Sequence, residues 1–312
     1  MASYTNCDLK NDNYEDICKK VVKKGVSYDY ANRFLLSPSK VKKMDEKSYS
    51  YMQPKMIKKH RKSEKKANNI LVKHVPSITK HLNDYKEVYD YTEKKYSVNR
   101  EVIAAILLKE TRLGIVKPSH DAFEVFNTLV LKVTPKTSRD KWLIKLGKTN
   151  MVSIITHCYE NGIEPKKCNL PSSYAGAIGI PQFMPNSFKY AEGYKSKYAD
   201  LTKMEDAIVS ASKFLNKKAK YTTLIDWRDM PNIEEEEGKW YQFEFTNENA
   251  SFVYDMSKRT GKKYSCFACG KPKLGLMKEY TRKIMTYNNS SNYAVGVLSL
   301  AYRANKMLKD GK

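Results

Sequence analysis

Glu110 has a carboxyl group at a position where the sequence pattern predicts an apolar environment. Ile103, Ile106, Leu107 and Glu110 are spaced i, i+3, i+4 and i+7, so all four lie on one face of a predicted helix. A buried carboxyl group either finds a cationic or hydrogen-bonding partner, or has a raised pKa and stays protonated, as a general acid must. On this stretch alone a structural ion pair is the favoured interpretation, and a general acid is the alternative.

The helix that would position Glu110 is predicted over residues 99–114. Asn99 is a suitable N-cap, and Glu101 suits the positive first turn. Arg112 suits the negative last turn, and Gly114 supplies a left-handed stop. These signals predict a helix that ends just after the carboxyl group.

A second unusual stretch, SSYAGAIGIPQFMPNS, covers residues 172–187. Its small residues let backbone approach backbone or ligand closely, and its two prolines restrict the chain. One interpretation is a tight packing turn. The other is one wall of a groove, in which polar Ser173 and Gln182 lie beside apolar Phe183 and Met184, the mixture that sugar rings require.

The charge of the chain predicts a polyanionic partner. There are 57 Lys and Arg against 34 Asp and Glu in 312 residues, which gives a net charge of +23. Nucleic acid, an anionic membrane and a cell-wall polymer all carry the matching charge. The sequence has no zinc-finger spacing, RNP-like strand or basic heptad region, so we expect no nucleic-acid partner. A solvated basic face is the alternative explanation of the lysines.

The six cysteines form three close sequence pairs, which favours local disulfides in an oxidising compartment. The pairs are Cys7 with Cys18, Cys158 with Cys168, and Cys266 with Cys269. Zinc is the alternative for the last pair, although a single CxxC lacks a second pair of ligands.

No apolar run is long enough to span a bilayer, and the first residues lack the apolar segment of a signal peptide. Met1 and Ala2 are interpreted as replacing a removed export signal, through which any membrane anchoring would occur.

Periodicity predicts a mainly helical chain, with a loop near residues 49–54 and a solvated charge run at residues 58–66. A short strand at residues 240–245 is expected within a small β-containing insertion. The predicted helices cover residues 14–24, 28–36, 75–96, two segments within 142–159, 201–215, 278–287 and 293–308.

Three separated stretches, AAILLKETRLG, SSYAGAIGIPQFMPNSF and MTYNNSSNYAVGVLSLA, resemble in this order the membrane-bound lytic murein transglycosylase B family. The resemblance implies a mainly α protein, in which a lysozyme-like helical domain carries extra N-terminal helices and a small β-containing insertion. The expected divisions are an N-terminal helical region over residues 1–98, a catalytic core over 99–230, the insertion over 231–275, and C-terminal helices over 276–312 that complete the glycan groove.

The resemblance also implies the activity. The family cleaves the bond between N-acetylmuramic acid and N-acetylglucosamine in peptidoglycan without water, leaving a 1,6-anhydromuramoyl end. Glu110 would be the single catalytic acid/base. No cofactor or metal is expected, and residues 190–198 lack the DxDxDG spacing of a calcium loop. Glycan contacts are expected from Ser173, Gln182, Phe183, Met184, Tyr287, Asn288 and Tyr293, with Arg139 as a looser match.

Three other functions stay open at this point. They are hydrolysis by a muramidase of the same fold, a non-catalytic peptidoglycan-binding protein, and a basic nucleic-acid binder. The resemblance favours an exported periplasmic enzyme, expected to be a monomer, that acts on peptidoglycan glycan strands. The basic charge fits a polymer whose peptides carry carboxylates.

Overall fold

Helices form most of the regular structure in the computed structural model, which describes residues 4–37, 43–234 and 272–311. Short 3-10 turns lie at Val72–His74, Pro165–Lys167 and Pro185–Tyr190, and two short strands, β1 (His120–Asp121) and β2 (Pro171–Ser172), pair antiparallel. The helices are α1 (Asp12–Val22), α2 (Tyr28–Leu36), α3 (Glu46–Tyr51), α4 (Pro54–Leu71), α5 (Val75–Asp84), α6 (Lys86–Tyr96), α7 (Arg100–Thr111), α8 (Ala122–Lys132), α9 (Ser138–Glu160), α10 (Met204–Ala219), α11 (Pro272–Met285) and α12 (Ser291–Lys309).

The chain divides into two units, each built from two separate segments. Unit 1 comprises Met1–Ile57 and Lys117–Lys189, and unit 2 comprises Lys58–Val116 and Tyr190–Lys312. The division passes through the first turn of α4 and through the loop after α7. The four domains predicted from the sequence have different boundaries from these units, and they stay a prediction.

Unit 1 has a core formed by α1, α2, α8 and α9, with Phe34, Phe123 and Phe126 among its fully buried side chains. Two disulfides, Cys7–Cys18 and Cys158–Cys168, support this unit and confirm two of the predicted pairs. The predicted third pair, Cys266 with Cys269, lies outside the described residues. So do the strand expected at residues 240–245 and nearly all of the predicted insertion.

The helix α9 corrects the prediction of two helices between residues 142 and 159. It runs without a break from Ser138 to Glu160, and it starts at a capping box in which Thr137 and Asp140 exchange hydrogen bonds. Gly147 marks close packing instead of a break. A Cβ there would lie 2.9 Å from the carbonyl oxygen of Phe126, so glycine lets α9 approach α8.

In unit 2, α7 is buried on all sides and packs against α5, α6, α10 and α12. Every residue from Val102 to Leu108 is buried, so the apolar surface is wider than the predicted stripe. A helix enclosed in this way holds its side chains in fixed positions. This is the element that carries Glu110.

Two further predictions of secondary structure are wrong. The single helix expected over residues 75–96 is broken at Tyr85 into α5 and α6, and neither glycine nor proline marks the break. The loop expected at residues 49–54 overlaps α3, because Asp45 caps that helix by accepting from the Ser48 N–H group, and Pro54 then begins α4. In the described ranges, no helix has the length and apolar character needed to cross a membrane.

Candidate active site

Glu110 lies in the last turn of α7, where the chain leaves the helix through an unusual turn. The helix ends at Thr111, and Arg112, Leu113 and Gly114 follow with φ angles of 50°, 57° and 83°. The expected stop at Gly114 therefore begins two residues earlier, at residues that rarely adopt positive φ. The Arg112 and Leu113 N–H groups donate to the carbonyl oxygens of Leu108 and Leu107, each at 3.0 Å, which holds the turn in place.

The first turn of α7 is anchored differently from the prediction. The Asn99 side chain does not cap the helix. Its Oδ1 accepts from the Tyr221 hydroxyl at 2.7 Å and from the Ile225 N–H at 2.6 Å. Glu101 is buried and accepts from the Asn305 amide at 2.8 Å, so it is not a solvated acid at the helix start. Buried hydrogen bonds thus fix α7 at the end opposite to Glu110.

The Glu110 carboxyl group is enclosed within unit 2 and keeps partial exposure. The Tyr293 hydroxyl on α12 donates to Glu110 Oε1 at 2.6 Å. Burial raises the pKa of Glu110 to about 7, with the Glu64 carboxylate adding to the rise, while the Tyr293 hydrogen bond and the Lys109 ammonium oppose it. Among the described residues, Glu110 has no cation within ion-pair distance, so the ion-pair interpretation gives way to that of a buried acid with a raised pKa.

Tyr287 and Asn288 lie between α11 and α12, just before the turn that leads to Tyr293. The Tyr287 ring packs edge-on against Phe214 of α10, with ring centroids 5.0 Å apart. Burial, with the nearby Glu110 charge, raises the pKa values of Tyr287 and Tyr293 well above their usual range. Both phenols therefore stay neutral at working pH. Asn288 is exposed.

The start of α12 confirms a predicted cap. The asparagines and serines before this helix predict capping, and the Ser290 side chain accepts from the Tyr293 N–H at 3.2 Å. The cap determines where α12 begins. It therefore also determines where the Tyr293 side chain lies in the first turn.

Sequence reasoning missed a charged cluster beside Glu110. The Lys109 ammonium lies 3.0 Å from Glu64 Oε1 on α4, and it also donates to Asn68 Oδ1. Glu64 falls within the charge run predicted to be solvated, yet its carboxylate faces this buried lysine. The sequence offers only a partial signal: Lys109 directly follows the apolar run from Val102 to Leu108, and Glu64 is the single acidic residue of residues 54–71.

Ser173, Gln182, Phe183 and Met184 belong to one loop of unit 1, which confirms a tight turn in this stretch. The Ile178 and Phe183 backbones exchange hydrogen bonds of 2.8 and 2.9 Å. Gln182 has a φ of 52°, and its side-chain amide donates to the Gly179 carbonyl at 2.9 Å.

The members of this loop differ in exposure. Ser173, Gln182 and Met184 are partly exposed, whereas Phe183 is only 2% exposed. Phe183 therefore packs inside the unit, and a contact between its ring and a glycan stays a prediction.

Arg139 lies in the first turn of α9, also in unit 1. Its Nη2 donates to the Met52 carbonyl at 2.6 Å, and its guanidinium lies 5.8 Å from the centre of the exposed Trp142 ring. The predicted site residues thus form two groups within their own units: Glu110, Tyr287, Asn288 and Tyr293 in unit 2, and the others in unit 1.

In the ranges that the structure covers, no three His, Cys, Asp or Glu side chains cluster so as to hold a metal ion.

Comparison with known proteins gave consistent results. Residues 10–302 match the family described as "Transglycosylase SLT domain". The structure is similar to that of the Escherichia coli lytic transglycosylase Slt35 in complex with bulgecin A, with a TM-score of 0.63, 18% identity, and coverage of 96% of this chain and 95% of the other. No curated protein matches the sequence.

Two Pseudomonas aeruginosa structures are also similar. The soluble lytic transglycosylase SltB1 has a TM-score of 0.55 at 20% identity, covering 95% of this chain and all of the other. SltB3 in complex with NAG-NAM-pentapeptide has a TM-score of 0.56 at 16% identity, covering 92% and 77%. These likenesses confirm the predicted mainly α, lysozyme-like fold. The family match over residues 10–302 confirms the predicted enzyme class, and the chain belongs to the transglycosylase SLT domain family.

Proposed function

We propose that this protein is a peptidoglycan lytic transglycosylase whose single general acid/base is Glu110. The observation that carries the proposal is the enclosed Glu110 carboxyl group, which has a pKa of about 7 and a hydrogen bond from Tyr293. A group with this pKa can donate a proton in one step and remove one in the next at neutral pH. Membership of the transglycosylase family and the NAG-NAM-pentapeptide bound to the similar SltB3 support the substrate.

In the first step, protonated Glu110 donates to the oxygen that links N-acetylmuramic acid to N-acetylglucosamine. Tyr293 already donates to Oε1, so Oε2 is the oxygen that carries the transferable proton. The glycosidic C–O bond breaks, its electron pair goes to the departing oxygen, and the muramyl C1 becomes cationic. The substrate's own acetamido group would stabilise that cation, as in substrate-assisted glycosidases.

In the second step, the Glu110 carboxylate removes the proton from the 6-hydroxyl of the same muramyl residue. The 6-oxygen forms a bond to C1, which closes the 1,6-anhydro ring and returns Glu110 to its protonated state. Intramolecular attack benefits from a high effective molarity. The Tyr293 hydrogen bond favours the carboxylate formed between the steps.

Within the family, we assign this protein to the membrane-bound lytic murein transglycosylase B group, because three stretches of its sequence resemble that group. Contacts with the glycan are assigned to the side chains predicted from the sequence. Their partly exposed members are the best supported, since a buried ring such as Phe183 needs a local rearrangement to reach a ligand. The assigned residues are Ser173, Gln182, Phe183, Met184, Tyr287, Asn288, Tyr293 and Arg139.

Hydrolysis is the main alternative, and it needs a second carboxylate to activate water or to act as nucleophile. Burial is the main cause of the raised pKa of Glu110, and Glu64 is the carboxylate that adds to the rise. Its Oε1 is paired with the Lys109 ammonium at 3.0 Å, so this carboxylate already has a partner within the protein. This supports the mechanism with a single carboxyl group.

Periplasmic action by a monomer is part of the proposal. The disulfides Cys7–Cys18 and Cys158–Cys168 support an oxidising compartment. The +23 net charge supports attraction to a wall polymer that bears peptide carboxylates.

The test is digestion of purified peptidoglycan sacculi followed by mass spectrometry of the released fragments. Muramyl ends one water lighter than reducing ends are expected from the wild type, and no fragments from Glu110→Gln. The matched control is Glu87→Gln, at an exposed carboxylate on α6, which should retain activity.

Other outcomes separate the alternatives. Reducing ends would establish hydrolysis, and sacculus binding without cleavage would establish a non-catalytic role. Salt-dependent DNA binding without any effect on sacculi would favour a nucleic-acid binder. Full activity of Glu110→Gln would contradict the assigned role.

A further inference from the structure

Lys109 carries a buried positive charge one residue before the proposed acid. Its side chain is only 3% exposed, and it follows the buried apolar run from Val102 to Leu108. An ammonium group removed from water costs several kcal/mol unless it is paired and hydrogen-bonded. A buried lysine at this position therefore requires partners built for it.

Those partners come from α4 and α12. Glu64 Oε1 lies 3.0 Å from the ammonium, and Asn68 Oδ1 also accepts from it. The Tyr293 ring lies below the ammonium, with 4.9 Å between the nitrogen and the ring centre, which is within the range of a cation–π interaction. Three different groups thus surround one cation.

Asn68 is itself held in place, so the cluster is rigid. It is 4% exposed, and its Nδ2 donates to the Asn292 carbonyl at 2.7 Å. Gly296, one turn further along α12, leaves the space that Asn68 fills, since a Cβ there would lie 2.3 Å from Asn68 Oδ1. The amide is therefore oriented with its oxygen towards Lys109 and its nitrogen towards α12.

Tyr293 connects this cluster to Glu110. Its ring contacts the Lys109 ammonium, and its hydroxyl donates to Glu110 Oε1 at 2.6 Å. A displacement of the lysine would therefore free the ring that delivers this hydrogen bond. The positive charge of Lys109 favours the carboxylate form of Glu110, whereas the negative charge of Glu64 opposes it.

We propose that Lys109 is a positioning residue which, held by Glu64 and Asn68, keeps the Tyr293 phenol on Glu110 and sets the pH range over which Glu110 exchanges its proton. The proposal rests on the proposed role of Glu110 as acid/base. Lys109 acts through Tyr293 and through its charge, and it does not contact the substrate.

The two phenols near Glu110 do not supply a competing charge at working pH. Tyr293 faces it from α12 and Tyr287 from the connection before α12, and burial raises the pKa values of both phenols well above their usual range. Among the residues that the structure describes, Lys109 on α7 and Glu64 on α4 are the charged groups that act on the carboxyl group. Their effects are opposite in sign, which makes them separable by experiment.

The experiment compares Lys109→Met, Glu64→Gln and the double variant. The readouts are the basic limb of the pH–rate profile on sacculi, and the titration of the Glu110 side-chain carboxyl followed by carbon-13 NMR. Lys109→Met should move the basic limb of the profile and the midpoint of the titration to higher pH by about one unit, since a nearby opposite charge shifts a carboxyl pKa by about that amount or more. Glu64→Gln should move both downwards. The double variant should lie between the two.

Lys80→Met is the matched control. It removes the same charge from an exposed lysine of unit 2, whose side chain is 76% exposed, and it should leave both readouts unchanged. Circular dichroism and thermal unfolding check that each variant folds. If Lys109→Met does not fold, Glu64→Gln decides alone, because its downward shift is expected and its absence overturns the proposal.

The results distinguish failure of this proposal from failure of the proposed function. Shifts of the same sign for Lys109→Met and Glu64→Gln, or no shift in either, would overturn the proposal while Glu110→Gln remained inactive. An active Glu110→Gln would overturn the acid/base role. The NMR titration would still measure whether Lys109 and Glu64 control the Glu110 carboxyl group.

Discussion

Replacing Glu110 by Gln should increase the stability of the protein at alkaline pH, although it should abolish catalysis. Burial raises the pKa of Glu110 from 4.5 to about 7. Between these two values the unfolded chain loses the proton and the folded chain keeps it. The unfolded state therefore binds fewer protons, and the free energy of unfolding falls as pH rises through this window.

The size of the effect follows from the pKa difference. Each pKa unit corresponds to about 1.4 kcal/mol, so the difference between 4.5 and about 7 gives a loss of about 3.5 kcal/mol well above pH 7, of which about 3 kcal/mol is reached by pH 8. Gln cannot ionise and avoids this loss. We expect Glu110→Gln and the wild type to be similarly stable at pH 4, and Glu110→Gln to be more stable by about 3 kcal/mol at pH 8.

The assay is urea unfolding of both proteins at several pH values from 4 to 8, with thermal unfolding in parallel. At roughly 2.1 cal/mol/K of unfolding entropy per residue over 312 residues, about 3 kcal/mol corresponds to a rise in Tm of roughly 5 °C. Glu87→Gln, at an exposed carboxylate, is the control and should show no pH-dependent gain. A constant stability difference between pH 4 and pH 8 would refute the reasoning, because Glu110 would then titrate like an exposed carboxyl group.

Three further changes test separate parts of the structure. Tyr293→Phe removes the hydrogen bond that favours the carboxylate, so the pKa of Glu110 should rise above about 7 and kcat should fall about tenfold or more; an unchanged pH–rate profile would contradict this. Gly176→Ala should lower the free energy of unfolding by about 2 kcal/mol or more in urea titrations, because φ is 79° and the new Cβ would lie 2.4 Å from Phe126 Cζ. Replacing both Cys158 and Cys168 by serine should lower the free energy of unfolding by about 2–3 kcal/mol, because the disulfide closes a loop of 10 residues. An unchanged urea midpoint would count against a stabilising bridge.

Secondary structure was predictable where local signals agree with packing. The helix expected over residues 28–36 is observed as Tyr28–Leu36, and the serine cap before α12 is formed by Ser290. Prediction of secondary structure failed where the same residue type can occur in more than one structural context. Gly147 resembles a helix break but provides close packing of α9 on α8, and the break at Tyr85 has no glycine or proline to indicate it. Such choices depend on neighbours that are distant in sequence.

The candidate site was also predictable only where local spacing carries the information. A carboxyl group on an apolar stripe identified Glu110 as unusual, because helical periodicity is a local property. The choice between an ion pair and an acid needed its surroundings, and Tyr293 is 183 positions away along the chain. The sequence contained Lys109 and Glu64, but a charge run alone does not indicate which side chain turns inwards.

Residue types and spacing alone predicted a mainly helical protein with a carboxyl group on the apolar face of a helix, three close cysteine pairs and a strongly basic net charge. These properties follow from residue type and short-range spacing. The protonation behaviour of Glu110 depends on tertiary contacts, because its pKa is set by burial, by the Tyr293 hydrogen bond from α12 and by the charges of Lys109 and Glu64. The function of that carboxyl group therefore depends on contacts that no local pattern encodes.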